Sequence, residues 1–204
     1  MKPLTLQDAV SSLYSKAVVE GKSTSTKRLE CLASVCVQEF ERHGLLNAEA
    51  EVTIDGGGRP KDWDVAWKWA GKYRTVLSLK SILKNVSGTV PNRIDDAMGE
   101  TANLQLYSPE IVTGYIMILD LSQCKPRQAG GTWDGFLEER LKALAVRRAP
   151  YWTPSTFEAF SLIRVDFSNG PKIVSGIEQF EQMFDILANE TKRRNPAIGI
   201  GEQP

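Results

Sequence analysis

Hydrophobic and polar positions alternate most clearly between residues 61 and 80. Val65, Trp67 and Trp69 fall on one side of a first segment, Leu77 and Leu79 on one side of a second, and Gly71 lies between them. A period of two on either side of a glycine turn predicts a β-hairpin, with Asp64, Ser78 and Lys80 on the opposite, polar faces. A turn centred on Gly71 sets Asp64 across from Ser78 and makes Lys80 its diagonal neighbour, within side-chain reach. Taken alone, such an Asp/Lys pair is an ordinary surface ion pair contributing about 0 to 1 kcal/mol.

Around the hairpin the period changes to that of helices. Leu6, Val10, Leu13, Ala17 and Val18 predict an amphipathic helix over 4–20 that ends at Gly21. A second helix, started by Ser25 or Thr26, runs on the stripe Leu29, Leu32, Ala33, Cys36, Val37 and Phe40 to about Arg42 and stops at Gly44. Weak alternation over 49–55 reads as a strand, broken by Gly56, Gly57, Gly58 and Pro60. The glycine triplet lacks the G-x-x-x-x-G-K-[ST] pattern and no helix follows it, so it reads as a loose strand connection rather than a phosphate cradle.

Beyond the hairpin, 81–91 reads as a loop punctuated by Gly88 and Pro91. Asn92 then caps a helix from Arg93 to about Leu106, which puts Asp95 and Asp96 in its first turn, where the helix dipole alone is enough to favour acids. The nearly continuous apolar run 111–121 predicts a strand buried on both faces. A helix from Thr132 or Asp134 to about Arg148, a strand over 157–167 and an amphipathic helix over 177–193 complete the order, and the tail 195–204 has little to pack. Two helices, three strands, helix, strand, helix, strand and helix predict an α/β fold, a mixed central sheet flanked by helices on both faces.

Composition narrows the possibilities. The chain has 204 residues, 42% of them hydrophobic, which suits a single domain over 1–194 with an N-terminal helical part of about 1–45. Lys plus Arg balances Asp plus Glu at 25 each, so no global basic field gathers polyanions and any nucleic-acid site must be local. No apolar run reaches the ~18 to 20 residues of a membrane span, and the polar start Met1-Lys-Pro-Leu-Thr lacks the apolar region of a secretory signal; a cytoplasmic protein with no membrane association is expected. Cys31, Cys36 and Cys124 form no CxxC pair and His43 is the single histidine, which argues against a Cys/His zinc site, a disulfide framework and a Ser/His/Asp hydrolase.

The segments Lys61-Asp-Trp-Asp64-Val, Leu77-Ser-Leu-Lys80-Ser and Asn92-Arg93-Ile94-Asp95-Asp96 with Gly99-Glu100 resemble the core of the PD-(D/E)xK nucleases, and within them the type II restriction endonucleases. The resemblance implies a restriction-endonuclease-like sheet and a Mg²⁺-dependent, site-specific endonuclease acting on double-stranded DNA, in all expectation as a homodimer. The chemistry suits these residue types, because carboxylates are the ligands for Mg²⁺ and a lysine beside the attacking water stabilises developing negative charge.

By this resemblance Asp64 is the metal-binding aspartate, Lys80 the catalytic lysine, and the backbone carbonyl of Leu79 a further metal ligand. Ser78 departs from the commoner pattern, which has an acid there, so an acid from the next helix must replace it. Asp95 is expected in that role, with Asp96 the alternative and Arg93 ahead of both. Glu30 or Glu39 stands as a possible accessory acid from the N-terminal helices, though acids at the edge of a helical stripe are usually solvated. Lys84, Asn92 and Arg93, and the pair Arg147 and Arg148, are the candidates for DNA contacts, while solvated helix-end charge explains the latter pair equally well. The rival reading is a catalytically inactive DNA-binding or assembly subunit of the same fold, its acid lost at Ser78.

Overall fold

The two strands of the hairpin sit near one edge of a six-stranded sheet. In this computed structural model, which describes residues 3–22, 26–150 and 152–198, the strands are β1 (Glu49–Ile54), β2 (Lys61–Trp69), β3 (Lys72–Ile82), β4 (Val112–Asp120), β5 (Ala159–Asp166) and β6 (Lys172–Ser175). They lie in sequence order across the sheet. β1, β2 and β3 are antiparallel neighbours, β3, β4 and β5 are parallel, and β6 returns antiparallel to β5. The helices are α1 (Leu6–Tyr14), continued by a π-helical turn over Ser15–Val19, then α2 (Glu30–Arg42), α3 (Val86–Tyr107), α4 (Trp133–Leu144) and α5 (Ile177–Arg194). The sheet is mixed and covered on both faces, as the order of elements implied.

One face packs Val65, Trp67, Leu77, Leu79, Ile116 and Ile163 against α1, α2 and α5. The other packs Ile82, Tyr115, Met117, Leu119 and Leu162 against α3 and α4. Every residue of β4 is buried, which is why its sequence is an apolar run instead of an alternating one. At Gly114, which interrupts that run, a Cβ would stand 2.6 Å from a δ-methyl of Leu77 and 2.9 Å from one of Leu187 of α5, so these side chains would have to shift to admit it. The N-terminal helices belong to the same core cluster as α5.

Three departures from expectation bear on the site. The hairpin turn is a two-residue one, with Ala70 and Gly71 both at positive φ, the combination of a type I′ turn. A bulge beside Trp67 and Lys68 then restores the pairing of Val65 with Leu77, which is the register a turn centred on Gly71 would have set. α3 starts at Val86, a turn and a half before Asn92, with Asn85 in the left-handed conformation at its N-cap and Pro91 inside the helix. Asp95 and Asp96 accordingly lie in the third turn, and the helix-dipole account of them no longer applies. β6 was not anticipated: it is a four-residue edge strand, largely exposed and bounded by Gly170 and Gly176, too short to show a period.

Thr26 opens a 3₁₀ turn ahead of α2, whereas Ser25 lies outside the described residues. Of the expected loose tail, residues 199–204 also lie outside them. Among the described residues no helix is long and apolar enough to cross a membrane.

Candidate active site

β2 and β3 part company beyond Val65 and Leu77. From there β2 follows β1, with Trp63 against Val52 and Lys61 against Ile54, while β3 follows β4, with Lys80 against Met117 and Ile82 against Leu119. The fork opens a cleft of about 580 Å³ bordered by Asp62, Trp63 and Asp64 on one strand and Leu79, Lys80 and Ser81 on the other. Where backbone pairing has been lost, Asp64 Oδ2 accepts the N–H of Leu79 at 2.7 Å. The carboxylate thus replaces a ladder bond and is fixed at the mouth of the fork.

α3 supplies the group opposite. Glu100 Oε1 lies 3.1 Å from Lys80 Nζ, and its Oε2 accepts from Ser78 Oγ at 3.2 Å and from Tyr115 Oη at 2.8 Å. Lys61 Nζ stands 3.4 Å from the same Oε2 and 4.3 Å above the Trp63 ring. The buried side of α3 is set by Val90, Ala97, Thr101 and Leu104. At about 100° per residue Glu100 flanks that stripe and Asp95 falls almost diametrically opposite it.

Asp95 is exposed and makes no hydrogen bond or ion pair among the described residues. Asp96 is half-buried and paired with Arg93 Nη1 at 2.5 Å. The structure therefore brings Glu100, and neither Asp95 nor Asp96, to Lys80 and Ser78. The signal in the sequence was the helix phase: a start at Asn92 put Asp95 and Asp96 in a first turn, whereas the apolar spacing Ala97, Thr101, Leu104 puts Glu100 next to the sheet.

The remaining expected positions divide. Leu79 lines the fork, whereas Ser78 beside it is fully buried and does not border the cleft. Arg93 lines the cleft together with Arg28, Glu51 and Thr53, none of the last three having been singled out from sequence. An adjoining cleft of about 380 Å³ shares Arg28, Ser81 and Arg93 and continues to Lys84 and Thr89. Asn92 is exposed and borders neither cleft. Glu30 is paired with Lys16 at 3.1 Å and Glu39 with Arg42 at 2.8 Å, and neither borders the fork. Arg147 is buried, donating to Glu158 and to the carbonyl of Ile111, so it is neither a DNA-facing nor a solvated helix-end charge; Arg148 is exposed.

The glycine triplet is not a loose connection. Gly57 N–H donates to the Asn103 carbonyl, Gly58 and Arg59 N–H both donate to Asn103 Oδ1, and Asn103 Nδ2 donates back to the Arg59 carbonyl. A Cβ on Gly56 would lie 2.0 Å from Asn103 Nδ2 and one on Gly57 2.8 Å from Leu106 Cβ. Only glycine lets this backbone lie so close to α3. The latch ties the start of β2, and with it Lys61, to the helix carrying Glu100, one turn away from Asn103.

The electrostatics separate the two acids. Burial is the largest influence on Asp64 and pushes its carboxyl above the ordinary aspartate value, partly offset by the Leu79 N–H and by Lys80 and Lys61. Burial is also the largest single influence on Glu100, but Lys80, Lys61 and the Tyr115 hydroxyl together outweigh it and hold that carboxyl below the usual range. Burial lowers the Lys61 ammonium. Two carboxylates and the Leu79 carbonyl are hard oxygen donors of the kind Mg²⁺ takes, one or two acids with the remaining positions left to water and phosphate. Among the described residues no group of three or more His, Cys, Asp or Glu is gathered to hold a metal. No protein-family model matches the chain and no curated protein matches it.

Proposed function

We propose that the protein is a Mg²⁺-dependent DNA endonuclease of the PD-(D/E)xK type, with Asp64, Glu100 and Lys80 as its working groups. The observation that carries the reading is the position of Glu100: an acid from α3 stands against Ser78 and Lys80, where the half-motif lacks its own. Asp64 and Glu100 would hold the cation, with the Leu79 carbonyl as a third ligand. Bound there, Mg²⁺ supplies charge neutralisation at the phosphate and acidifies the attacking water.

The chain's own groups do the rest. The Leu79 N–H fixes the direction of Asp64, Tyr115 and Ser78 fix that of Glu100, and Lys80 offers a proton donor and positive charge to the oxygen that develops negative charge. Arg93 and Lys84, along the adjoining cleft, are placed to contact phosphates, with Asn92 outside that path. Cutting both strands of a palindromic site would call for a symmetric homodimer.

Incubation of the purified protein with unmodified and modified DNA in Mg²⁺, Ca²⁺ and EDTA tests the proposal. Discrete Mg²⁺-dependent fragments, lost in Glu100→Gln and kept in Asp95→Ala, support it. Absence of cleavage on every DNA tried, or loss in Asp95→Ala with activity kept in Glu100→Gln, overturns it or its acid assignment respectively.

One observation favours a second reading, a non-catalytic DNA-binding subunit. Glu100 already takes two ammonium groups and two hydroxyls, so a cation there competes with Lys61 and Lys80 for the same carboxylate. That reading predicts DNA binding indifferent to Mg²⁺ and Ca²⁺, with no cleavage.

A further inference from the structure

The chain leaving β4 turns back on itself before α4 begins. Pro126 pairs antiparallel with Thr132, the Arg127 N–H donates to the Gly131 carbonyl at 3.1 Å, and the Gly130 N–H donates to the Arg127 carbonyl at 3.0 Å. Gly130 and Gly131 both take positive φ, which lets the turn close this tightly. Arg127 is thereby laid over α4, its guanidinium carbon 4.0 Å from the centre of the Phe136 ring and 5.2 Å from that of Trp133. Arg140, one helical turn beyond Phe136, stands 5.0 Å from the same ring. Two guanidiniums therefore share one aromatic side chain.

No acid neutralises these cations. Among the described residues the side chains of Arg127 and Arg140 make no hydrogen bond or ion pair, and Arg127 Nε is buried without an acceptor. Lys125, exposed at the base of the turn, makes none either. Of the three acids on α4, Asp134 and Glu138 are both held by Arg164, which leaves Glu139 alone unengaged. An arginine resting on a ring face keeps its charge while losing side-chain freedom, so little further ordering is needed when an anion arrives.

Position favours one kind of anion. β3, β4 and β5 run parallel, and fork residues 79–81 come just before the end of β3, where Ile82 pairs with Leu119 one residue short of the end of β4. The turn carrying Arg127 thus leaves the sheet at the end where the fork opens. We propose that Lys125, Arg127 and Arg140 form a surface for the sugar-phosphate backbone of DNA held at the fork. A row of phosphates matches several unpaired cations presented by a turn and a helix, and such contacts position the duplex without reading its sequence. The inference rests on the nuclease reading for the identity of its partner, though the surface itself takes no part in catalysis.

The test separates the two. Duplex DNA affinity is measured in Ca²⁺ across a range of salt for the intact protein, for Arg127→Gln and for the double variant Lys125→Gln with Arg140→Gln, each checked for unchanged melting. The slope of log affinity against log salt falls by about one in Arg127→Gln and by about two in the double variant, and binding weakens several-fold on every sequence alike. Mg²⁺-dependent cleavage at saturating DNA keeps its rate in both. An unchanged slope in the folded double variant, with cleavage intact, overturns the surface and leaves the nuclease reading standing. The expected fall in slope, with no cleavage of any DNA by the intact protein, keeps the surface and overturns the nuclease reading. An intact protein that binds no DNA, or that binds polyglutamate with the same dependence on these cations, overturns the assignment to nucleic acid. If Arg127→Gln melts early, the double variant decides, since Lys125 and Arg140 are exposed.

Discussion

Two glutamates, one buried and one half-buried, each gripped by a pair of cations, lie toward opposite ends of the parallel strands. Glu158, at the start of β5, takes Arg147 and Arg194 on Oε1 and the Thr113 N–H on Oε2. The side chains of Glu158 and Arg147 are each 2% exposed. Glu100 takes Lys80 and Lys61 with side chains 18%, 18% and 10% exposed; Lys80 borders the fork, while Glu100 and Lys61 border a separate cleft of about 300 Å³. The cations differ in kind as well. Guanidiniums fork between several carbonyls and carboxylates and lock a geometry, whereas ammoniums are mobile point charges that can be exchanged for another cation or a phosphate. The closed cluster is built to hold two strands and a helix together, and the open one leaves room for an incoming group.

Breaking the closed cluster has the largest expected effect. Glu158→Ala strands Arg147 without its counter-charge and leaves Arg194 with Glu190 alone, and costs about 3 to 5 kcal/mol of stability, read by denaturant unfolding, with any activity lost only in proportion to unfolded protein. Next comes Lys80→Ala, which lowers DNA cleavage about 10² to 10³-fold with melting little changed. If instead it melts like Glu158→Ala, the open cluster is structural and the contrast between the two fails.

Asn103→Ala removes the acceptor for Gly58 and Arg59 and the donor to Arg59, at an expected stability cost of roughly 1 to 3 kcal/mol. Since the latch positions β2 against α3, kcat should fall more than KM rises; equal effects on both would argue that the loop only contributes to binding. A smaller effect is expected from pH. Glu100 titrates below the ordinary glutamate value in the folded chain, so its charge contributes stability above that value, and the contribution is lost as pH falls through the lowered one. The stability gap between the intact protein and Glu100→Gln should therefore be full at neutral pH and close on acidification, as followed by unfolding curves at a series of pH values. A gap that widened in acid would reverse the sign assigned to the ammonium pair. Smallest of all is Asp95→Ala, expected to change stability by less than about 0.5 kcal/mol and leave cleavage intact, because its side chain is exposed and unengaged.

Much of the scaffold was legible in the chain itself. Period-two spacing located both strands of the hairpin and put Asp64 and Lys80 on its polar face, and the unbroken apolar run marked a strand covered on both faces. These are local properties: side-chain direction repeats with the backbone, so burial writes itself into spacing. The register even survived an error in the turn, since the bulge beside Trp67 compensated for the two-residue connection.

What the sequence could not fix was where distant elements meet. Pro91 and Gly88 argued for a loop, yet packing of Val86 and Val90 into the core carried the helix through them, and that earlier start left Asp95 facing away and Glu100 against the sheet. The divergence of β2 from β3, the approach of Arg28 to Ser81 and the docking of three glycines on Asn103 are likewise contacts between segments 40 or more residues apart, or between strands whose pairing depends on their other neighbours. Such contacts are chosen by the free energy of the whole packed arrangement, which no local period records, and so only the tertiary structure decided which carboxylate meets Lys80 and which arginines border the fork.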